Sequence, residues 1–423
     1  MAASSCKGML DIGFTMLAAA ARNTNRSTSW RCIRCLSSGV APPPPPGTSS
    51  DTIPTPDNTQ SSQPQPQRED FRTSESNPVN HTARHLGQYY TIPMADVPTV
   101  FPIGYSARWH KLLKPFQEAS IMIRKPAVEI MDVMRHADYT NPPIKYLMYG
   151  RKGSGKTTCL NHILHSCHNQ GCLIVHIPCA NSWNVNNKWD FLDSVSHEGM
   201  YDQPALSSEW LKHFRSRNEH FLKKVILTSK CYEWSKREQT EAGEPLLSVV
   251  DQGLNRPKNA TDVIGVVLKE LRDQSSSGKY RLILAVKAVN GLFAEMTNVR
   301  KPGGYLIPVN ELRMAYHFKK MLKGQWTNGA IIMTVDQHNC HQAPKWDFKP
   351  LHLLQKQGFE WLDPFVPVYV ENYSDKEFES CMQYYISKQW IQMEQAKTEE
   401  GKLHLKLLSE SNPGSFERIC ASL

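Results

Sequence analysis

The sequence predicts an α/β protein built on a parallel sheet with helices on both faces. Two observations predict it. The segment Gly150-Arg151-Lys152-Gly153-Ser154-Gly155-Lys156-Thr157 directly follows the apolar run Tyr146 to Tyr149 and precedes a helical pattern. That order of strand, glycine loop and helix start is the one that cradles phosphate groups. Downstream, short strongly apolar runs alternate with helical patterns, the rhythm of a parallel sheet buried on both sides.

The elements follow in order. Residues 1–40 carry Lys7, Arg22, Arg26, Arg31 and Arg34 against the single acid Asp11, among many Ala and Ser residues. This composition predicts a mitochondrial transit peptide. Residues 41–85 are rich in Pro, Ser and Gln, including Pro42 to Pro46, and predict a disordered tether that cannot offset its ordering entropy by burial. Folded structure is expected from between His85 and Tyr89, with a nucleotide-binding domain over 86–372. Phe116 to Met134 reads as helical, interrupted by Pro126. After the glycine loop a helix should run to about His168, and Cys172 to Ile177 is a buried strand stopped by Pro178. Helices are expected over Leu206 to Leu222 and from a cap at Asn259 or Thr261 to Arg272. Arg281 to Val286 is the third strand, Val309 to Leu322 a helix, Ala330 to Val335 the fourth strand and Val366 to Val370 a fifth. Ser374 and Glu377 have capping-box spacing ahead of a helix over Phe378 to Trp390. A further helix over Thr398 to Leu408 would complete a C-terminal helical lid or subdomain, residues 373–423.

The chain has 423 residues, 40% of them hydrophobic and 21% charged, with a formal net charge of +9. The excess of base suits an anionic partner such as RNA, and equally a solvated basic surface. No run approaches the roughly 20 apolar residues that a bilayer span requires. Eleven cysteines without framework spacing fit free thiols in a reducing compartment better than disulfides. Cys32 and Cys35 form a Cys-x-x-Cys pair with no second pair to complete a zinc site.

The glycine loop carries the chemistry. Gly150, Gly153 and Gly155 allow backbone angles closed to other residues, so that successive amides can converge on phosphate oxygens. Lys156 supplies a point charge. The Thr157 hydroxyl is placed to hold magnesium, and the helix starting at Thr157 and Thr158 favours an anion at its N-terminus. Such a site also needs a carboxylate at the end of a neighbouring strand. Lys287 stands after the third strand instead, and an ammonium has donors only. Asp336, after the fourth strand, is the candidate to compensate by pairing with Lys287. Asn187-Lys188-Trp189-Asp190 matches a guanine-reading pattern but lies after the second strand, the wrong place for that use. Trp183, Trp189, Trp210 and Trp234 read as core or interface anchors. Lys223, Lys224, Lys230, Lys236, Arg237 and Arg256 make the middle segment basic, and His162, His165 and His168 read as surface histidines.

Over roughly Gln88 to Leu423 the chain resembles the death-associated protein 3 family of the mitochondrial small ribosomal subunit. The resemblance rests on Thr99-Val100-Phe101-Pro102, Arg124-Lys125-Pro126-Ala127, Tyr146 to Gly150 with the loop, His176-Ile177-Pro178, Asn259-Ala260-Thr261-Asp262, Asp363-Pro364-Phe365 and Lys376 to Cys381. Glu417-Arg418, Cys420-Ala421 and Leu423 agree as well. It implies a P-loop NTPase domain related to the AAA and STAND groups, holding GTP or GDP rather than ATP, with Mg2+ as the accompanying ion. It also implies a place in the head of the small subunit in the mitochondrial matrix. Partners there would be small-subunit ribosomal proteins and rRNA, and large-subunit proteins across intersubunit bridges. By resemblance the nucleotide residues are Gly150, Arg151, Lys152, Gly153, Ser154, Gly155, Lys156, Thr157 and Thr158, with Thr157 as metal ligand. Related folds place the base against the segment before the first strand, which makes Arg124, Lys125 and Pro126 base neighbours. Members of the family resemble Ala-Val-Asp-Gly where this chain has Ala285-Val286-Lys287-Ala288. A structural ribosomal protein with a built-in nucleotide and slow or absent hydrolysis is the expectation. The alternative is an active GTPase or ATPase switch with a role in apoptosis signalling, and a third reading leaves the loop empty.

Overall fold

A computed structural model describes residues 71–101, 113, 115–185, 191–300, 305–337 and 347–421. The expected transit peptide, most of the expected tether and Asn187 to Asp190 lie outside the described residues. A hairpin of β1 (Tyr89–Ile92) and β2 (Ala119–Met122) precedes the main sheet. That sheet contains β3 (Ile144–Tyr149), β4 (Leu173–Ile177), β5 (Leu282–Val286), β6 (Gly329–Thr334) and β7 (Val366–Tyr369). All its pairings are parallel, in the order β7-β3-β6-β5-β4. The fourth strand of the sheet thus lies between the first and third.

Alternation along the strands divides the core between two faces. Leu147, Val175, Leu284, Val286 and Met333 face one cluster, packed with α3 (Pro204–Lys224), α4 (Leu246–Asn255), α5 (Ala260–Gln274) and α6 (Arg313–Leu322). Tyr146, Met148, Ile283, Ala285 and Ile332 face the other, packed with α1 (Lys125–His136) and α2 (Lys156–Asn169). Every residue of β5 is fully buried, which explains why its five residues carry no polar side chain. Each large aliphatic side chain removed from water in this way contributes roughly 1.5–3 kcal/mol. After α7 (Pro350–Leu362) and β7, the chain ends in α8 (Asp375–Ser387), α9 (Glu399–Ser409) and α10 (Pro413–Cys420). These pack through Phe378, Met382, Tyr385 and Phe416 against Phe71, Tyr89 and Met122.

Several expectations are corrected. Phe116 to Met134 contains β2 as well as a helix, and Pro126 sits in the first turn of α1, where its missing N–H costs nothing. Folded structure begins earlier than His85: Phe71 is 6% exposed and His81 fully buried. His162 and His165 are buried, not on the surface. His81 Nδ1 lies 2.8 Å from His162 Nε2, and the Tyr90 hydroxyl 3.1 Å from His165 Nδ1. The early segment covers that side of α2, and local helical periodicity carries no sign of it. The side chain of Asn259, the N-cap of α5, makes no capping bond, and Thr261 instead bonds Ser207 and the Gln203 amide. The Ser374–Glu377 capping box is formed as expected. Trp183 and Trp210 are core residues, with Trp210 donating to the His176 carbonyl at 2.9 Å. The described cysteines are all free thiols, and among the described residues no helix is long and apolar enough to cross a membrane.

Candidate nucleotide-binding site

The glycine loop leaves β3 at the edge of the sheet's C-terminal end and turns into α2. Gly150, Gly153 and Gly155 adopt φ of +148°, +85° and +97°, conformations that side chains other than glycine resist. At Gly150 a Cβ would also stand 2.3 Å from the Val370 carbonyl oxygen. Lys156 begins α2 and folds back over the loop, donating to the carbonyls of Gly150 at 2.6 Å and Arg151 at 3.0 Å. Burial pulls its ammonium from the ordinary 10.5 down to about 8, with Asp336 opposing the shift and Lys287 adding to it. An anion bound here would meet the loop amides, the start of α2 and this lysine together.

A cavity of ≈320 Å³ opens beside the loop, within the size range of small-molecule sites. Lys152, Gly153, Gly155, Lys156, Thr157 and Thr158 line one end, with Asp336 and Arg124. Phe116, Tyr373, Tyr384, Tyr385 and Glu417 line the cavity as well, with the Tyr373 ring 5.1 Å from the Arg124 guanidinium. A polar end joined to an aromatic chamber suits a phosphorylated ligand with a planar ring. Gly150, Arg151 and Ser154 belong to the loop without lining the cavity.

Arg124, 4% exposed, is where the expectation and the geometry differ in role. Its Nε and Nη2 donate to the two carboxylate oxygens of Glu377 at 3.0 and 3.1 Å, and Nη1 to the Ser154 carbonyl at 2.6 Å. Nη2 also reaches the carbonyls of Glu371 and Asn372, at 3.0 and 3.2 Å. The guanidinium therefore clamps the loop to the C-terminal helices and has little donor capacity left for a base. Lys125 points to Glu129 on the exposed surface, and Pro126 is buried in α1; neither lines the cavity.

Four consecutive loop residues are gripped, three by the C-terminal segment directly and the fourth through Arg124. Glu410 pairs with Arg151 at 2.9 Å, and Asn412 Nδ2 donates to the Lys152 carbonyl at 3.1 Å. The Gly414 amide donates to the Gly153 carbonyl at 2.9 Å. Ser154 is held by Arg124, itself anchored on Glu377. Sequence reasoning missed Glu410, Asn412 and Gly414; Asn412-Pro413 is a recognisable helix start, but nothing local connects it with the loop. Among the described residues, Lys287 and Asp336 form no ion pair with each other. Both charges bear on Lys156 instead.

The fold and site define an α/β protein with a five-stranded parallel sheet and a glycine loop at the head of a helix. The chain belongs to the family described as mitochondrial ribosomal death-associated protein 3, whose pattern it matches over residues 121–419. It is 46% identical over 352 residues to small ribosomal subunit protein mS29 of Bos taurus, covering 83% of this chain and 88% of that protein. The protein of the same name from Mus musculus is 44% identical over 352 residues, covering 83% and 89%. Among solved structures, the ADP form of Aeropyrum pernix ORC2 aligns with a TM-score of 0.35 and 10% identity, over 73% of this chain and 65% of that one. The fold described above rests on the strand order alone.

Proposed function

We propose that this chain is a structural component of the mitochondrial small ribosomal subunit, working in the matrix, that holds a guanine nucleotide as a built-in part of its fold. Its partners are small-subunit ribosomal proteins and rRNA, with large-subunit proteins reached across the intersubunit bridges. The observation that carries the nucleotide reading is the grip on Arg151, Lys152 and Gly153 by the chain's own C-terminal segment and on Ser154 by Arg124. A loop fastened at four successive residues is suited to retaining a ligand and poorly suited to cycling it. The phosphates of GTP or GDP lie on the loop amides and Lys156, and the base enters the aromatic chamber, where the Glu417 carboxylate can accept from guanine N–H groups that adenine does not present. A ligand that binds only the folded state stabilises it by mass action.

A hydrolysing switch is the weaker reading, because it needs a carboxylate on the third sheet strand and Lys287 follows β5. Denaturing the purified protein and identifying the released nucleotide by chromatography tests the proposal. Guanine nucleotide near one equivalent per chain is expected; recovery of none, or of adenine nucleotide only, would overturn it.

A further inference from the structure

Phosphate loops of this kind ordinarily hold a magnesium ion between a loop hydroxyl and a strand carboxylate. Here Thr157 provides the hydroxyl, but the donor set does not otherwise fit. The residue after β5 is Lys287, which cannot ligate a cation. The remaining acid at this end of the cavity, Asp336, acts on Lys156 and has its backbone fixed by Asn290, which takes the Asp336 amide at 3.0 Å and donates to its carbonyl at 2.8 Å.

Lys287 does not line the cavity itself, but it stands at the same end of the sheet as the loop. The ladder continues through it, its amide donating to the Ile177 carbonyl at 3.0 Å and its carbonyl accepting from Ala180 at 2.9 Å. Alternation along β5 puts Leu284 and Val286 on one face and Ile283 and Ala285 on the face that carries α2. Lys287 therefore falls on the α2 face. Val286 pairs with Met333, so Lys287 stands level with Thr334, and Thr334 pairs with Met148, two residues before Gly150. Two strand spacings place its backbone about 10 Å across the sheet from β3, a gap that its side chain and a bound phosphate would share, and its charge is felt by Lys156.

We propose that Lys287 contacts the nucleotide's terminal phosphates as a second fixed cation, and that this site takes its nucleotide without a divalent metal. The inference rests on the nucleotide-binding reading above. Two ammonium groups against Asp336 leave the phosphate end with a positive surplus that needs no imported ion. Lacking a metal to polarise the terminal phosphate, the site retains the triphosphate.

The test is binding of a fluorescent GTP analogue to the full-length chain stripped of nucleotide, with magnesium and with EDTA. The wild-type Kd should change by less than about threefold between the two conditions, and Lys287→Met should weaken binding in EDTA by about tenfold or more, the worth of a charge-assisted contact. Lys287→Asp should bind only when magnesium is present. Wild-type binding that collapses in EDTA overturns the inference and leaves the nucleotide reading standing. So does a Lys287→Met chain, folded by circular dichroism, that binds in EDTA as the wild type does. Absence of binding in both conditions sinks the nucleotide reading and this inference together. The EDTA comparison needs no variant, so a substitution that fails to fold does not remove the test.

Discussion

Replacing Glu377 with Gln isolates the electrostatic part of the clamp that joins the loop to the C-terminal helices. The Arg124–Glu377 pair is almost dry, with side chains 4% and 12% exposed. Removing one partner of such a pair leaves a buried charge poorly compensated, at a cost of about 3–5 kcal/mol. Gln should sit at the low end, because the carbonyls of Ser154, Glu371 and Asn372 still accept from Arg124 and Gln can keep the capping-box bond from the Ser374 amide. The expected loss is therefore about 3 kcal/mol, or roughly 6 °C in Tm for a large domain. Glu377→Ala also removes the cap and should cost about 1 kcal/mol more. Thermal melts followed by circular dichroism read both variants, with Arg124→Met and the double variant closing the cycle. Additive effects of the two single substitutions, or a Gln variant that melts with the wild type, would refute the clamp.

Three further outcomes follow from the geometry. Gly153→Ala should weaken nucleotide binding by at least tenfold, since φ is +85° there and a Cβ would stand 2.5 Å from Asn412 Oδ1; equilibrium binding checks it. Lys156, with its ammonium drawn down to about 8, must regain a proton to hold phosphate, so affinity should be level below pH 8 and fall by up to about tenfold per unit above it. A flat pH profile, or one that Lys156→Met leaves unchanged, would contradict this. Burial depresses His165 from 6.5 to about 4 and pushes His162 well below its ordinary value. The unfolded chain then takes up protons that the native state refuses, so stability is full above about pH 6.5 and lost as pH falls toward 4, by roughly 3 kcal/mol for His165 alone. Denaturant titrations of wild type and His165→Gln should show a shallower acid loss in the variant.

How much of this was legible in the sequence depended on whether the partner of a residue was near or far along the chain. β5 declared itself through five buried apolar residues in a row, and α8 through the Ser374–Glu377 spacing. The glycine loop was legible because its strand, turn and helix are contiguous. β2 was not: four residues ahead of a proline look like the start of the following helix. Arg124 was singled out, but as a neighbour of the base, because its carboxylate partner lies 253 positions away. His162 looked exposed for the same reason, its cover being His81 from a segment 81 residues earlier.

That division bears on the proposed retention of a nucleotide. The local signals, read alone, describe a phosphate-binding machine, since a glycine loop, a lysine and a threonine are the parts shared by enzymes and inert binders alike. The distinguishing parts are distant. Arg151, Lys152, Gly153 and Ser154 are each tied, directly or through Arg124, to residues between Glu377 and Gly414. A loop that must reorganise during turnover gains from loose flanks, whereas one tied at four points loses the hydrogen bonds to the Lys152, Gly153 and Ser154 carbonyls and the exposed Arg151–Glu410 pair whenever it moves. Each hydrogen bond is worth about 1 kcal/mol net, and the one from the charged Arg124 guanidinium to the Ser154 carbonyl is worth somewhat more. Opening the site is therefore costly, and a nucleotide bound as proposed would exchange slowly.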